Sequence, residues 1–322
     1  MNCAACTLFE GDYHYGVAAL ANSAYQNGFR GTLFVGYRGV LPLWLTADQP
    51  LSLAKWPDAV EACPAEGLRL VFLPVTVSIH LTNYKPDFLL ELMNGPASDC
   101  EAMFYFDPDI CIVEKWSFFE EWLSCGIAVC EDINSPYPEN HPRRIGWRRY
   151  FGPHAFNLVF RCSEYANGGL VGVRRHEIAF LHIWSKLQKA MAEEIGSLNA
   201  SKLNRGKAFA SKGFADCFDS SDQDALNAAI EASMTPVSIL GREAMGFKHG
   251  AACALHALGR GKPWQRSYLL EALKGHTPRP VDKVFWQAVD GRVRPYSRLK
   301  ILATRCAIRV ASMLGRFYRR PT

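Results

Sequence analysis

Residues 102–106, AMFYF, form a wholly apolar run that ends abruptly at Asp107. A short run of this kind is typical of a strand that is buried on both faces. Similar runs lie at residues 3–9, 32–36, 68–75, 126–130 and 167–173. Segments of helical composition separate them or follow them, at residues 15–26, 88–93, 176–194 and 222–232. This alternation predicts an α/β fold with a Rossmann-like, mainly parallel sheet and flanking helices.

Acidic residues follow three of the predicted strands, namely Glu10, Asp107 and Asp132. Parallel sheets bind their ligands beyond the carboxyl ends of their strands. We therefore expect these residues near a binding site. Two further segments interrupt the pattern. Residues 134–153 are polar and predict a long loop, and the Lys/Gly/Ser-rich residues 197–218 predict a mobile segment.

The Asp107-Pro108-Asp109 sequence places two carboxylates two residues apart at the end of a buried strand. Proline cannot donate to a sheet ladder, so strand pairing should stop there. Neighbouring carboxylates repel each other, and a divalent cation such as Mn²⁺ or Mg²⁺ relieves that repulsion. The alternative is an acidic, solvated turn, because so short a motif is often accidental.

Three other segments carry polar groups in a setting that suits a ligand. They are His256-Ala257-Leu258-Gly259-Arg260-Gly261-Lys262-Pro263-Trp264, Asp222-Gln223-Asp224-Ala225-Leu226-Asn227 and Tyr165-Ala166-Asn167-Gly168-Gly169-Leu170-Val171. A histidine can ligate a metal, and a lysine can contact a phosphate as a point charge. The alternatives are an ordinary core or surface histidine, a capped helix start and a turn before a strand.

The order and content of these four segments resemble the retaining glycosyltransferases of family 8, which include bacterial lipopolysaccharide galactosyl- and glucosyltransferases and glycogenin. The most specific match is the H-x-x-G-x-x-K-P-W element at residues 256–264. Asn167-Gly168-Gly169 differs from the usual N-A-G, and Glu10 and Asp12 differ from the commoner opening. The resemblance spans most of residues 7–268. It implies a GT-A-type fold and transfer with retention of anomeric configuration.

The resemblance also implies roles for individual residues. Asp107, Asp109 and His256 would ligate Mn²⁺ (or Mg²⁺), and Lys262 would contact the donor diphosphate. Thr7, Phe9, Glu10 and Tyr13 would lie near the nucleoside, usually uridine. Asp132, Asn167, Asp222 and Gln223 would surround the transferred sugar, and Lys85 is a candidate basic residue ahead of the Asp-x-Asp strand. We therefore expect a metal-dependent hexosyltransferase that uses a UDP-hexose and a glycan or glycolipid acceptor.

Two other functions remain open. A sugar nucleotidyltransferase would show a Gly-rich, basic loop after the first strand, and residues 10–13 (EGDY) are not such a loop. A sugar-nucleotide-binding or membrane-associated protein without transferase activity would not need an intact Asp-x-Asp, His256 and Lys262. No feature of the chain indicates a nucleic-acid partner.

The last part of the chain is strongly basic. Residues 292–322 contain nine Lys/Arg and no Asp/Glu, which leaves 27 basic and 31 acidic residues for the rest. We therefore predict a catalytic domain over residues 1–290 and a basic tail over 291–322. As a helix over 296–319, the tail would have an apolar stripe with arginines along one flank. The stripe consists of Leu299, Leu302, Cys306, Val310, Met313 and Phe317. This pattern fits peripheral binding to an anionic membrane, or a helix docked on the catalytic domain.

The remaining features concern the compartment and the acceptor. The first nine residues lack the pattern of a signal peptide, no run is long enough to span a membrane, and the eleven scattered cysteines suit a reducing compartment. We expect a cytoplasmic protein. The arginines of residues 143–149 would contact an anionic glycan or simply form a solvated loop. Trp147 and Tyr150 in the same segment favour a sugar-binding role, because aromatic faces can stack on sugar rings.

Overall fold

The computed structural model describes residues 1–45, 49–199, 217–259, 261–315 and 317. The strands are β1 (Cys3–Glu10), β2 (Gly31–Arg38), β3 (Gln49–Leu51), β4 (Ala59–Ala65), β5 (Leu68–Pro74), β6 (Ala102–Phe106), β7 (Ile110–Ile112), β8 (Ile127–Glu131), β9 (Ala166–Arg174), β10 (Val237–Leu240) and β11 (Ala254–His256). The helices are α1 (His14–Gln26), α2 (Lys85–Met93), α3 (Trp116–Trp122), α4 (Pro142–Phe151), α5 (Ile178–Ile195), α6 (Ser221–Ala232), α7 (Tyr268–Leu273), α8 (Pro280–Ala288) and α9 (Arg298–Leu314).

The chain is a mixed α/β protein with a mostly parallel central sheet and flanking helices, which confirms the predicted fold class. Parallel pairs join β1 to β6, β2 to β5 and β8 to β10. Strand β9 is the exception at the centre, since it runs antiparallel to both β6 and β8. A short antiparallel extension, β3 and β4, was not predicted because its strands are partly polar and short.

The chain divides into two interleaved units. The first comprises Met1–Leu8, Val75–Phe106 and Phe118–Arg242. Its strands lie in the order β10-β8-β9-β6-β1, and α2 and α6 pack against α5. Gly172 of β9 lies opposite Phe104 of β6, and a Cβ on Gly172 would come within 2.3 Å of the Phe104 ring. The absence of a side chain there makes room for an aromatic residue in the buried strand that precedes Asp107.

The second unit comprises Phe9–Pro74, Asp107–Ser117 and Glu243–Thr322. It contains the strands β2-β5-β4-β3, a separate β7–β11 pair, and helices α1, α7, α8 and α9. Helix α1 and the last three helices share one hydrophobic core. Its residues include Ala19 of α1, Ala272 of α7, Phe285 of α8, and Ile301 and Ile308 of α9. The predicted boundary at residue 291 therefore separates helices that pack together.

One predicted segment differs from the structure, one lies mostly outside the described residues, and one is observed as a helix. Helix α4 lies within the predicted loop 134–153 and begins after His141, whose side chain accepts a hydrogen bond from the Arg143 amide. The predicted mobile segment falls mostly on residues 200–216, which lie outside the described residues. The predicted tail helix is observed as α9, and helices α7 and α8 before it were not predicted. Among the described helices, none is long and apolar enough to cross a membrane.

Candidate active site

The Asp-x-Asp sequence is brought to His256 by a two-stranded antiparallel sheet. Strand β7 begins directly after Asp109, and His256 at the end of β11 pairs with Ile110 of β7. The amide of Ala257 also donates a 3.1 Å hydrogen bond to the carbonyl oxygen of Asp109. The sequence did not predict this pairing, because each strand has only three residues.

Three side chains converge at this point. Nε2 of His256 lies 3.2 Å from Oδ1 of Asp109 and 3.8 Å from Oδ2 of Asp107. One ligand atom from each residue lies within 4.8 Å of the other two. Nδ1 of His256 is buried without a hydrogen-bond partner among the described residues, so the ring is held by its packing and presents Nε2 to the carboxylates. Two carboxylates and one imidazole suit a divalent cation such as Mn²⁺ or Mg²⁺.

Lys262 adds a positive charge to the same cluster. Its Nζ donates to Oδ2 of Asp109 at 2.6 Å and to the carbonyl oxygen of Ala257 at 2.7 Å. Burial alone would raise the pKa of Asp109, but the neighbouring His256 and Lys262 hold that pKa well below its usual range. Asp109 is therefore ionised over the whole physiological range and is available as an anionic ligand.

The start of helix α1 packs directly on the Asp-x-Asp turn. A Cβ on Gly16 would lie 2.1 Å from the carbonyl oxygen of Pro108, so a glycine is required there. Just before the helix, Asp12 accepts hydrogen bonds from Trp264 Nε1 at 3.0 Å and from Gln265 Nε2 at 2.7 Å. Asp12 thereby ties the chain opening to the segment that follows Lys262. The sequence showed Asp12 only as a departure from the family's usual opening.

The four predicted nucleoside-side residues have different surroundings. We call Asp107, Asp109, His256 and Lys262 the metal-side cluster. The Tyr13 ring lies edge-on to Trp264, and the centroid of the Tyr13 ring is 5.7 Å from Nζ of Lys262, so Tyr13 lies beside this cluster. The Phe9 ring stacks on Tyr37, and Glu10 pairs with Arg38 at 3.3 Å. Thr7 is buried in the first unit, and its hydroxyl has no hydrogen-bond partner among the described residues.

The predicted sugar-side residues form a second cluster, all within the first unit. Oδ2 of Asp132 accepts a 2.6 Å hydrogen bond from Nδ2 of Asn167. Oδ1 of Asp132 accepts two more, from the amide and the side chain of Asn134. Oδ1 of Asn167 accepts from the amide of Gly169. Asp132 and Asn167 are both buried, so these bonds fix both side chains in place.

Gly168 is the centre of this cluster. Its amide donates to Oε1 of Gln223 at 3.1 Å, and its carbonyl oxygen accepts from Nζ of Lys85 at 2.9 Å. The same Nζ lies 2.9 Å from Oδ2 of Asp222, and Lys85 is only 2% exposed. A Cβ on Gly168 would lie 3.2 Å from Oδ2 of Asp222, a tight contact that the Asp222 side chain would have to relieve by a small shift. Asp222 and Gln223 are thus both held against one backbone segment.

Asp224 lies behind this cluster and was predicted only as part of a helix start. It is fully buried and accepts hydrogen bonds from the Tyr165 hydroxyl at 2.6 Å and the Ser220 amide at 2.8 Å. Burial raises the pKa of Asp224 to about 7, although Tyr165, Arg143 and Ser220 oppose that rise. Helix α6, which carries Asp222 and Gln223, therefore also carries a buried carboxyl group that can titrate near neutral pH.

Three of the four arginines at 143–149 have carboxylate partners within the fold, so neither predicted role fits them, whereas Arg149 is exposed. Arg144 is buried and pairs with Glu231, and Arg148 pairs with the same carboxylate. Arg143 pairs with Asp219 at 3.1 Å. Trp147 is fully buried and donates to the carbonyl oxygen of Cys217, so the prediction that its face stacks on a sugar is wrong. These residues hold α4 on the first unit, because a buried arginine needs a carboxylate partner.

Comparisons with known proteins give structural likenesses only. No protein-family model and no curated protein sequence matches the chain. It is similar to the glycosyltransferase GlyE of Streptococcus pneumoniae TIGR4, at 14% identity and a TM-score of 0.46, over 95% of this chain and 64% of that one. The chain thus spans less than two thirds of the length of GlyE.

Two further likenesses are to LgtC. A galactosyltransferase LgtC in complex with donor and acceptor sugar analogues matches at 14% identity and a TM-score of 0.44, over 82% of this chain and 90% of that one. An active-site mutant of LgtC matches at 13% identity and a TM-score of 0.49, over 89% and 95%. The TM-scores of these three structures are all below 0.5.

Proposed function

We propose that the protein is a metal-dependent glycosyltransferase that moves a hexose from a UDP-sugar to a glycan or glycolipid acceptor with retention of configuration. The observation that carries the proposal is the convergence of Asp107, Asp109, His256 and Lys262. These residues come from the Asp-x-Asp and H-x-x-G-x-x-K-P-W segments, which are far apart in the sequence and adjacent in the fold.

The metal-side cluster suits the donor diphosphate. Asp107, Asp109 and His256 would hold Mn²⁺ or Mg²⁺, which would neutralise negative charge on a departing diphosphate. Lys262 supplies a second positive charge beside the same carboxylates and can contact a phosphate oxygen. Breaking the bond between the anomeric carbon and the phosphate needs this stabilisation, because charge accumulates on the leaving group. Tyr13, Phe9, Glu10 and Thr7 are the proposed nucleoside contacts.

Asp132, Asn167, Asp222 and Gln223 are the proposed contacts to the transferred sugar. Neither carboxylate is placed as a covalent nucleophile: Asp222 pairs with Lys85, and Asp132 accepts three hydrogen bonds. This supports a same-face mechanism, in which the leaving phosphate helps to deprotonate the acceptor hydroxyl. Gln223 has an amide that can contact the sugar without carrying charge, so we assign it to transfer rather than to nucleotide binding.

The basic tail is the feature that supports the proposed acceptor class. Residues 292–322 carry nine positive and no negative side chains, and such segments are attracted to anionic lipid surfaces. We place the enzyme on the cytoplasmic face of a membrane as a peripheral protein, with a glycolipid of the kind used in lipopolysaccharide synthesis as acceptor.

Donor turnover tests the proposal. We expect UDP release from a UDP-hexose with Mn²⁺, and none when the metal is chelated. Lys262→Ala should lower kcat/KM for the donor by at least about 100-fold, whereas Lys248→Ala, at an exposed lysine of the same unit, should not. Tight UDP-sugar binding without release would instead support a binding protein. Pyrophosphate release from a nucleoside triphosphate and a sugar phosphate would support a nucleotidyltransferase.

A further inference from the structure

Helix α9 is docked on the second unit by the side opposite to its predicted apolar stripe. Ile301, Ile308 and Ala311 are buried in the shared core. The residues of the stripe are exposed instead: Leu299 (81%), Leu302, Cys306, Val310 and Met313. The two interpretations of this helix are therefore compatible, because one face docks and the other remains available to a partner.

Helix α7 repeats this arrangement. Tyr268 and Ala272 are buried in the same core as the inner face of α9. Leu269, Leu270 (62%) and Leu273 (60%) are exposed. Helices α7 and α9 pack against each other, and a Cβ on Gly315, just after α9, would meet the side chain of Thr277, just after α7. The exposed apolar residues therefore belong to two neighbouring helices of the same unit.

The exposed charged side chains of α9, and that of Lys274 directly after α7, all have the same sign. Lys274, Arg298, Lys300 and Arg309 are exposed. The acidic residues nearby are neutralised within the fold, since Glu271 pairs with Arg266 and Asp290 pairs with Arg305. An apolar surface with a net positive border is complementary to an anionic bilayer. A second copy of the same surface would be repelled by it.

We propose that the exposed leucines of α7, together with the exposed apolar residues of α9, form one surface that binds an anionic lipid bilayer. This inference rests on the membrane contact proposed above and extends it from the tail to α7. The leucines enter the interface between headgroups and acyl chains, and the four basic side chains contact lipid phosphates.

The position of α7 gives this surface a second consequence. The Tyr268 hydroxyl donates a 2.8 Å hydrogen bond to the carbonyl oxygen of Pro263, and Trp286 donates to the same oxygen at 3.2 Å. Pro263 directly follows Lys262, so the helix that binds the bilayer is fixed to the segment that contacts the donor diphosphate. A bilayer bound to α7 would then be connected to the residues proposed to hold the donor diphosphate.

Vesicle co-sedimentation of the full chain tests the surface. We expect binding to vesicles that contain phosphatidylglycerol, weakening with salt, and none to vesicles of phosphatidylcholine alone. The triple variant Leu269→Gln, Leu270→Gln and Leu273→Gln should bind at least tenfold more weakly. A control with Val40→Gln, Leu43→Gln and Met234→Gln, at apolar positions elsewhere that are even more exposed, should bind as the parent does. UDP release from a soluble donor should be the same in all three proteins.

Three results would overturn the inference. If the α7 variant binds normally and Arg298→Gln, Lys300→Gln and Arg309→Gln together abolish binding, the tail alone contacts lipid and the earlier proposal stands. If the parent ignores anionic vesicles, both membrane proposals fail while the transferase proposal is judged separately by UDP release. If the parent is a dimer that the α7 variant converts to a monomer, and no vesicle binds, the surface is covered by a second copy.

Discussion

The ammonium group of Lys85 lies 2.9 Å from the carboxylate of Asp222, and both are largely shielded from solvent. The pair spans 137 residues of sequence and joins the first turn of α2 to the first turn of α6. It fixes Asp222 against Gly168, at the position proposed for the transferred sugar.

Replacing this lysine should destabilise the protein. Lys85→Met keeps the length of the side chain but leaves Asp222 without its cation, at a cost on the order of 3 kcal/mol. Lys189→Met is the matched control, because Lys189 pairs with Asp87 at 3.0 Å but is well exposed, and such pairs contribute less than about 1 kcal/mol. Urea unfolding measures both. If both variants lost the same free energy of unfolding, the buried Lys85–Asp222 pair would contribute no more to stability than an exposed pair.

Metal binding should depend on three residues. Asp107→Asn, Asp109→Asn and His256→Ala should each weaken Mn²⁺ binding by at least about 100-fold, because each removes a ligand. His276→Ala, at an exposed histidine in the same unit, should leave it unchanged. Mn²⁺ titration followed by electron paramagnetic resonance reports binding without any need for activity. Full affinity in all three variants would rule out the site.

Gly16→Ala should disturb the same metal site, although Gly16 is not one of its proposed ligands. The added methyl group would lie 2.1 Å from the Pro108 carbonyl oxygen, so the turn that carries Asp107 and Asp109 must move. We expect weaker Mn²⁺ binding and lower stability, although alanine normally favours a helix. Gln26→Ala, at an exposed position of the same helix, should be neutral or slightly stabilising. If Gly16→Ala bound metal as tightly as the parent, the contact between α1 and the turn would not position the ligands.

Asp224 should make stability depend on pH. Its pKa is raised to about 7 in the folded protein, from 3.8 for an ordinary aspartate. The folded state therefore holds a proton that the unfolded state has lost, and stability falls as pH rises from about 4 to about 7. The slope contributed by one such group approaches about 1.4 kcal/mol per pH unit.

Asp224→Asn should remove this contribution, since an amide does not titrate. The unfolding free energy of the variant, measured by urea at several pH values, should decline less between pH 4 and 7 than that of the parent. Asp58→Asn, at an exposed aspartate, should leave the slope as it is. Parallel pH profiles for the parent and Asp224→Asn would show that Asp224 is ionised throughout.

The sequence predicted the buried strands and the acidic residues after them. A short, wholly apolar run such as residues 102–106 is typical of a strand that is buried on both faces of a sheet. It did not predict β7 and β11, whose three residues each carry too little pattern, although their pairing brings His256 to Asp109. It also could not assign the arginines of α4 to internal partners, since Glu231 lies 83 residues from Arg148. For α9, helical periodicity identified two faces but not which one is buried.

The pairing of Lys262 with Asp109 closes a loop of 153 residues. Bringing such distant positions together has a large entropic cost that no local contact offsets, so proteins rich in these contacts fold slowly. During synthesis, a ribosome-bound chain that already displays Asp107 and Asp109 lacks the strand that carries His256. The proposed metal site can therefore be completed only after the segment from Ala254 to Lys262 has emerged, so binding of a metal would have to follow synthesis of most of the chain.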